Sequence, residues 1–236
     1  QHVQAVQQHG LRLQMQGLDV QVAMKACTEP TAVSGADLVL FCVKSTDPAA
    51  AGQALAPHLA PHAVLLCRQN GVDNAERLRA VVTQEVAAAV VYVATEMAGP
   101  GHVRHHGRGE LVIAPCSIAS GLVADFAAAG VPVTVSANVQ GALWAKLVLN
   151  CAWNALSTIT RLPYGVLARG EGVPQLIDQV LDECLAVAAA ERVVIEGDVR
   201  AAVRRIAETM PTQTSSTAQD LARGRPTEIA HLNGLV

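Results

Sequence analysis

Aromatic side chains make up only 3% of these 236 residues and charged ones only 16%, yet hydrophobic residues reach 51%. A chain of this length and composition buries a sizeable core, which excludes a disordered polypeptide. It has no run of Lys or Arg, and its formal net charge is −3. Nucleic acid is therefore not an expected partner, and neither is an anionic membrane surface. No uninterrupted apolar stretch reaches the roughly 18 residues of a membrane span. The polar start Gln1-His2-Val3-Gln4 is no secretion signal, so the expectation is a cytoplasmic protein.

Metal and disulfide chemistry lack their usual spacings. Cys27, Cys42, Cys67, Cys116, Cys151 and Cys184 contain no C-x-x-C pair, and most sit in apolar runs, which reads as reduced core thiols. His102, His105 and His106 cluster without a nearby cysteine or carboxylate in sequence, so they read as solvated hairpin residues and no metal is expected. The most telling absence is a strand leading through G-x-G-x-x-G into a helix. The half match Gly107-Arg108-Gly109-Glu110-Leu111-Val112 lacks the third glycine and is followed by a strand. If this chain binds a dinucleotide, the phosphate cradle is expected upstream of Gln1.

What is present is a polar stripe on an oily helix. In the segment Leu143 to Asn154, Lys146, Asn150 and Asn154 recur every fourth residue among Leu, Val, Ala, Cys and Trp. At about 100° per residue, four steps drift only about 40°, so the three lie nearly in line. One such polar residue would be read as solvated or bonded to backbone. Three in register on a helix expected to be buried nearly all round need partners, and a small polar ligand can supply them.

The rest of the chain reads as two regions. Gln1 to Gln8 looks like the end of a helix closed by His9-Gly10. The apolar run Asp37 to Lys44 leads into Ser45-Thr46-Asp47-Pro48, a cap followed by proline that starts a helix. Ala63 to Cys67 leads through Gln69-Asn70-Gly71 into a helix at Asn74. This alternation predicts a parallel α/β sheet, with ligands at the carboxyl ends of its strands, where Lys44 and Asn70 stand. Strands follow at Val86 to Met97 and Gly109 to Pro115 around the loop Gly99-Pro100-Gly101, then a helix from Leu122 to Ala129 and a strand from Val131 to Val135. From Asn138 only helices are expected: the striped one to about Ile159, one from Pro174 to Glu196 closed by Gly197, one to Met210, and two short ones.

Taken together, Asp37 to Lys44, Gln69-Asn70-Gly71, Gly99 to Val103, Leu143 to Asn150 with Asn154, Ser215-Ser216 with Gln219-Asp220, and Pro226 to Gly234 resemble the ketopantoate reductase (2-dehydropantoate 2-reductase) family, in order and over nearly the whole chain. The resemblance implies an α/β Rossmann-like domain in residues 1–137, incomplete because its first βαβ unit is missing, followed by an all-α substrate domain in residues 138–236 that stops before the family's last helices. It implies NADPH-dependent reduction of 2-dehydropantoate to pantoate, on the way to pantothenate and coenzyme A.

Carried over residue by residue, Lys146 matches the catalytic lysine that protonates the developing alkoxide. Asn150, Asn154 and Ser216 match substrate-binding residues, and Ser216 takes the carboxylate. Asn70 matches a residue touching both cofactor and substrate, Lys44 lines the cofactor cleft, Glu228 engages the cofactor or the lysine, and Asp220 is a supporting acid. Tyr164 departs from the pattern, standing where some members carry a further substrate-binding asparagine, and the loop around Thr95-Glu96-Met97 differs as well. A paralogous reductase of another 2-oxo acid, or a non-catalytic metabolite-binding remnant, are the alternative readings. The Ala-rich helical domain offers a face for a homodimer.

Overall fold

A computed structural model describes all 236 residues. Its first half is built on a seven-stranded sheet of order β2-β1-β6-β5-β4-β3, with β7 pairing β6. The strands are β1 (Leu11–Met15), β2 (Leu18–Val22), β3 (Leu38–Phe41), β4 (Val64–Cys67), β5 (Glu85–Gly99), β6 (His102–Ile113) and β7 (Val133–Val135). Four helices accompany them: α1 (His2–His9), α2 (Pro48–Leu55), α3 (Asn74–Arg79) and α4 (Ala119–Ala128).

The expected parallel sheet is only partly parallel. β3, β4 and the first residues of β5 run parallel, but from Ala89 onward β5 folds back on β6 as a long antiparallel hairpin. The tip of that hairpin meets a second antiparallel pair, β1 with β2, which the sequence reading passed over. Leu11, Leu13 and Met15 alternate with polar residues on β1, and Gly17 turns the chain at φ 77°, a backbone conformation that glycine adopts at no steric cost.

β4 is buried along its whole length, as a central strand covered on both faces must be. Its residues and those of β5 divide by alternation. Leu65, Cys67, Val86, Ala88 and Val90 pack with Phe41 and Leu78 on one face. Leu66, Ala87, Ala89 and Val91 pack with Leu111, Ile113 and Leu122 on the other.

The second half is helical: α5 (Val139–Thr160), α6 (Tyr164–Leu167), α7 (Val173–Ala190), α8 (Val199–Thr209) and α9 (Ser216–Ala222). Asn138 caps α5, its side-chain oxygen accepting from the Gly141 N–H at 3.0 Å. The apolar side of α5, with Trp144, Leu147, Val148, Cys151 and Trp153, packs on Ile177, Leu181, Cys184 and Ala188 of α7.

Two expectations need correction here. α7 stops at Ala190 rather than continuing to Glu196, because Arg192 turns the chain at φ 57° and Val193 to Glu196 run as a loop up to Gly197. The cysteines also divide: Cys67, Cys151 and Cys184 are core residues, but Cys27 and Cys42 are exposed, and all six are free. No helix is long and apolar enough to cross a membrane.

Candidate active site

The polar stripe of α5 faces a cavity of about 430 Å³ between the sheet and the helices. Lys146, Asn150 and Asn154 line it from α5, Asn70 from the segment after β4, and Ser216 from the start of α9. Five residues expected to serve one site are thus brought to one space, from three parts of the chain. A second cavity, of about 730 Å³, adjoins it and shares Tyr92, Arg108, Lys146 and Leu149 before running on to Glu196, Asp198 and Arg205.

Lys146 donates from Nζ to the Val91 carbonyl oxygen at 2.7 Å, in the stretch of β5 already paired antiparallel with β6. Burial pushes the ammonium's pKa down to about 8; the charge of Glu228 opposes the drop, and Arg108 and Arg68 add to it. Asn154 is buried and donates from Nδ2 to Thr217 Oγ1 at 3.2 Å, which ties the stripe to α9. Ser215, the cap of α9, is buried as well, so Ser216 beside it is held at the cavity with its own side exposed.

Lys44, Asp220 and Glu228 form a separate cluster across the two halves. Lys44, expected along the cofactor cleft, has its ammonium 2.6 Å from Asp220 Oδ2 and 3.4 Å from Glu228 Oε2. Glu228 is buried; it accepts the Ser45 backbone N–H at 2.8 Å and the Asn70 amide at 3.4 Å. Burial alone would raise the Glu228 carboxyl, but the Ser45 N–H, the Lys44 charge and Asn70 hold it below its ordinary value. For Lys44, burial lowers the pKa, and the bond to Asp220 together with the charge of Glu228 outweighs it, leaving the ammonium above its ordinary value. Glu228 reaches Lys146 only through its field, and Asn70 is the one residue common to the cluster and the cavity wall.

Sequence reasoning missed several wall residues. Arg68, Tyr92, Arg108 and Cys42 all line the cavity. Arg108 sits at φ 63° between Gly107 (φ 137°) and Gly109 (φ 146°), with its guanidinium carbon 4.6 Å from the Tyr92 ring centre. The glycine pair set aside as a failed phosphate loop is thus a kink in β6 opposite the register shifts of β5. Tyr164 also lines the cavity, its hydroxyl pKa raised to about 12 by burial. One of the histidines does meet an acid: His106 lies 3.3 Å from Glu96, diagonally across the β5–β6 pairing in which Glu96 stands opposite Arg104.

Residues 1–117 match the family model described as ketopantoate reductase PanE/ApbA, and residues 138–236 match the model of its C-terminal part. The 2-dehydropantoate 2-reductase of Halobacterium salinarum is 34% identical over 100% of this chain and 80% of its own length. The chain belongs to the ketopantoate reductase family. A solved PanE/ApbA family ketopantoate reductase from Ralstonia eutropha JMP134 is 66% identical, with a TM-score of 0.97 over 99% of this chain and 78% of its own. The family fold also reaches further. A D-mandelate dehydrogenase solved with NADH and anilino(oxo)acetate superimposes with a TM-score of 0.88 at 23% identity, over 99% of this chain and 79% of that one; that likeness is one of fold.

Proposed function

We propose that the protein reduces 2-dehydropantoate to pantoate with NADPH, residues 1–137 holding the cofactor and residues 138–236 the substrate and the proton donor. The observation that carries this reading is the convergence of Lys146, Asn150, Asn154, Asn70 and Ser216 on one cavity at the carboxyl ends of parallel strands. The residues present fit the nicotinamide end of such a cofactor, because the cavity beyond β3 and β4 is bordered by Asn70 and Cys42 and faced by Lys146 of α5. Asn70 would hold that end, with Lys44 and Glu228 behind it. The cofactor, when bound, supplies hydride to the carbonyl carbon.

The chain's own residues manage charge and proton. As the ketone gains hydride, negative charge develops on its oxygen, and Lys146 Nζ stabilises that charge and then protonates it. Val91 holds the ammonium in place with one of its three protons, which leaves two for the substrate. A pKa of about 8 keeps the donor charged at neutral pH and makes it a stronger acid than a solvated lysine. Asn150 and Asn154, one and two helical turns further along α5, orient the substrate's hydroxyl and carbonyl groups, and Ser216 binds its carboxylate. Glu228 acts at a distance, helping Lys146 to keep its proton.

A second reading, another 2-oxo acid as substrate, is favoured by Tyr164 in the cavity wall and by the adjoining 730 Å³ cavity, which offers room for a larger substituent. The test is the loss of reduced-nicotinamide absorbance with 2-dehydropantoate and a panel of bulkier 2-oxo acids, with Lys146→Ala as control. A large loss of turnover in the variant, with NADPH affinity retained, upholds the reading. Equal losses in turnover and NADPH affinity would count against it, and wild-type protein inert toward the whole panel would end it.

A further inference from the structure

Arg68 is a cation without a partner, in a chain that pairs its other buried or half-buried arginines. Arg77 donates to the Ser45 carbonyl, Arg104 to Glu96, and Arg200 pairs with Asp182. Arg68 enters no ion pair, and its Nε is shut away from solvent with no acceptor. A buried donor left unsatisfied is costly, and a guanidinium more so than a neutral group. The rest of the guanidinium is half-buried, lines the cavity and has no protein partner, so an anion entering the cavity can reach it there.

Its position is fixed by the sheet. The Arg68 backbone N–H donates to the Phe41 carbonyl at 3.0 Å, so the β3–β4 ladder continues one residue beyond β4. Two residues on, the chain bends at Asn70, and Arg68 and Asn70 both line the cavity with Lys146 and Ser216. No protein carboxylate lines the cavity to answer it: Glu228 is engaged by Ser45, Lys44 and Asn70, and Asp73, whose Oδ1 is buried without a partner, lies outside the cavity wall. The charge of Arg68 is felt at Lys146, so the cavity wall carries unneutralised positive charge on the side facing α5.

We infer that Arg68 is the cationic partner of the substrate's carboxylate and the residue by which this site selects 2-oxo acids over neutral ketones. This rests on the reductase reading above. The planar fork of a guanidinium matches the two oxygens of a carboxylate, whereas the single hydroxyl of Ser216 can orient that group but cannot neutralise it. With the carboxylate gripped at the end of β4, the adjacent ketone is presented to Lys146 on the opposite wall.

The test compares wild type, Arg68→Gln and Arg68→Lys in three measurements: kcat and KM for 2-dehydropantoate and for its neutral methyl ester, NADPH affinity by fluorescence, and pantoate binding by calorimetry. Arg68→Gln should raise KM for the acid about 100-fold, with kcat within about threefold and NADPH affinity within about twofold of wild type. The preference for acid over ester should collapse, which a purely structural role would not produce. Arg68→Lys should recover part of it, because the charge returns without the fork.

An NADPH affinity that falls as far as the KM rises would overturn the proposal and make Arg68 a contact to a cofactor phosphate. An unchanged acid-to-ester preference would overturn it as well. If wild-type protein turns over no 2-oxo acid, the reductase reading fails. Arg68 is then judged by calorimetry alone: pantoate binding lost in Arg68→Gln upholds it, and binding equal to wild type overturns it.

Discussion

Replacing Lys146 by methionine should abolish reduction and at the same time stabilise the protein below about pH 8. The lysine's pKa falls from 10.5 in the unfolded chain to about 8 in the folded one, chiefly through burial. At about 1.4 kcal/mol per unit, that difference is a penalty of about 3 kcal/mol on the folded state whenever the lysine is charged in both states. The sign follows from proton counting. Below about pH 8 both states hold the proton and the full penalty applies. Between about 8 and 10.5 the unfolded chain binds more protons, so wild-type stability rises with pH, and above 10.5 the penalty is gone. Methionine removes the penalty but forfeits the bond to the Val91 carbonyl, worth about 1 kcal/mol for the neutral amine that remains once the penalty is gone. Lys146→Met should therefore be more stable than wild type by about 2 kcal/mol below pH 8 and less stable by about 1 kcal/mol above 10.5. Urea unfolding of the two proteins across this range measures the gap, and shared titrations cancel in the difference. In the same interval wild-type kcat/KM should fall about tenfold per pH unit as the general acid loses its proton. A stability gap that does not move with pH, or a rate profile flat through pH 8, would refute the reasoning.

Other perturbations follow from the same structure. Glu228→Gln should move the alkaline limb of kcat/KM to lower pH, because the charge that helps Lys146 hold its proton is gone; a limb that stays in place would show the two groups to be uncoupled. The same substitution should flatten the acid side of the stability curve. The lowered pKa of Glu228 gives stability that is present above the ordinary glutamate value and lost as pH falls through the folded one. Asp220→Asn should cost about 1 kcal/mol, since its partner Lys44 is 45% exposed, and a double-mutant cycle with Lys44→Met should show a coupling of similar size that shrinks in high salt. Gly141→Ala should destabilise by about 2 kcal/mol in chemical denaturation, because a methyl there runs into the Val194 carbonyl and the Asn138 cap, neither of which can withdraw without breaking the other's bond.

The helical half of the site was legible because its information is local. Lys146, Asn150 and Asn154 follow one periodicity on one helix, and the turns after β3 and β4 announce themselves by proline and by Asn-Gly. The cluster at Lys44 was not legible as a cluster: Asp220 lies 176 residues further on, and Glu228 184. A pairing at that separation leaves no local pattern, and the resemblance named each of the three without pairing Lys44 with either acid. Arg68 carries no motif; what makes it notable is the missing acceptor, a property of the folded environment alone. That the sheet is mixed rather than parallel was hidden for a related reason, although the β5–β6 hairpin itself was read. Apolar runs of strand length look alike whichever way the neighbour runs, and here only the loop at Gly99-Pro100-Gly101 marks the reversal. α7 was drawn too long because Val193 and Ile195 extend its apolar pattern, although Arg192 has already broken the helix.

The single uninterrupted helix α5 limits how this site can change. Lys146 and Asn154 are eight residues apart on one rod, about 12 Å at the rise of an α-helix, and the rod is locked by Trp144, Val148 and Trp153 against its neighbours. The spacing between proton donor and amides is therefore that of a fixed jaw, which no loop exchange can lengthen or shorten. The sheet side, where Tyr92 and Arg108 stand on a kinked hairpin, is the jaw whose shape substitution can alter. New substrates for this scaffold are to be sought by substitutions there, with α5 left as it is.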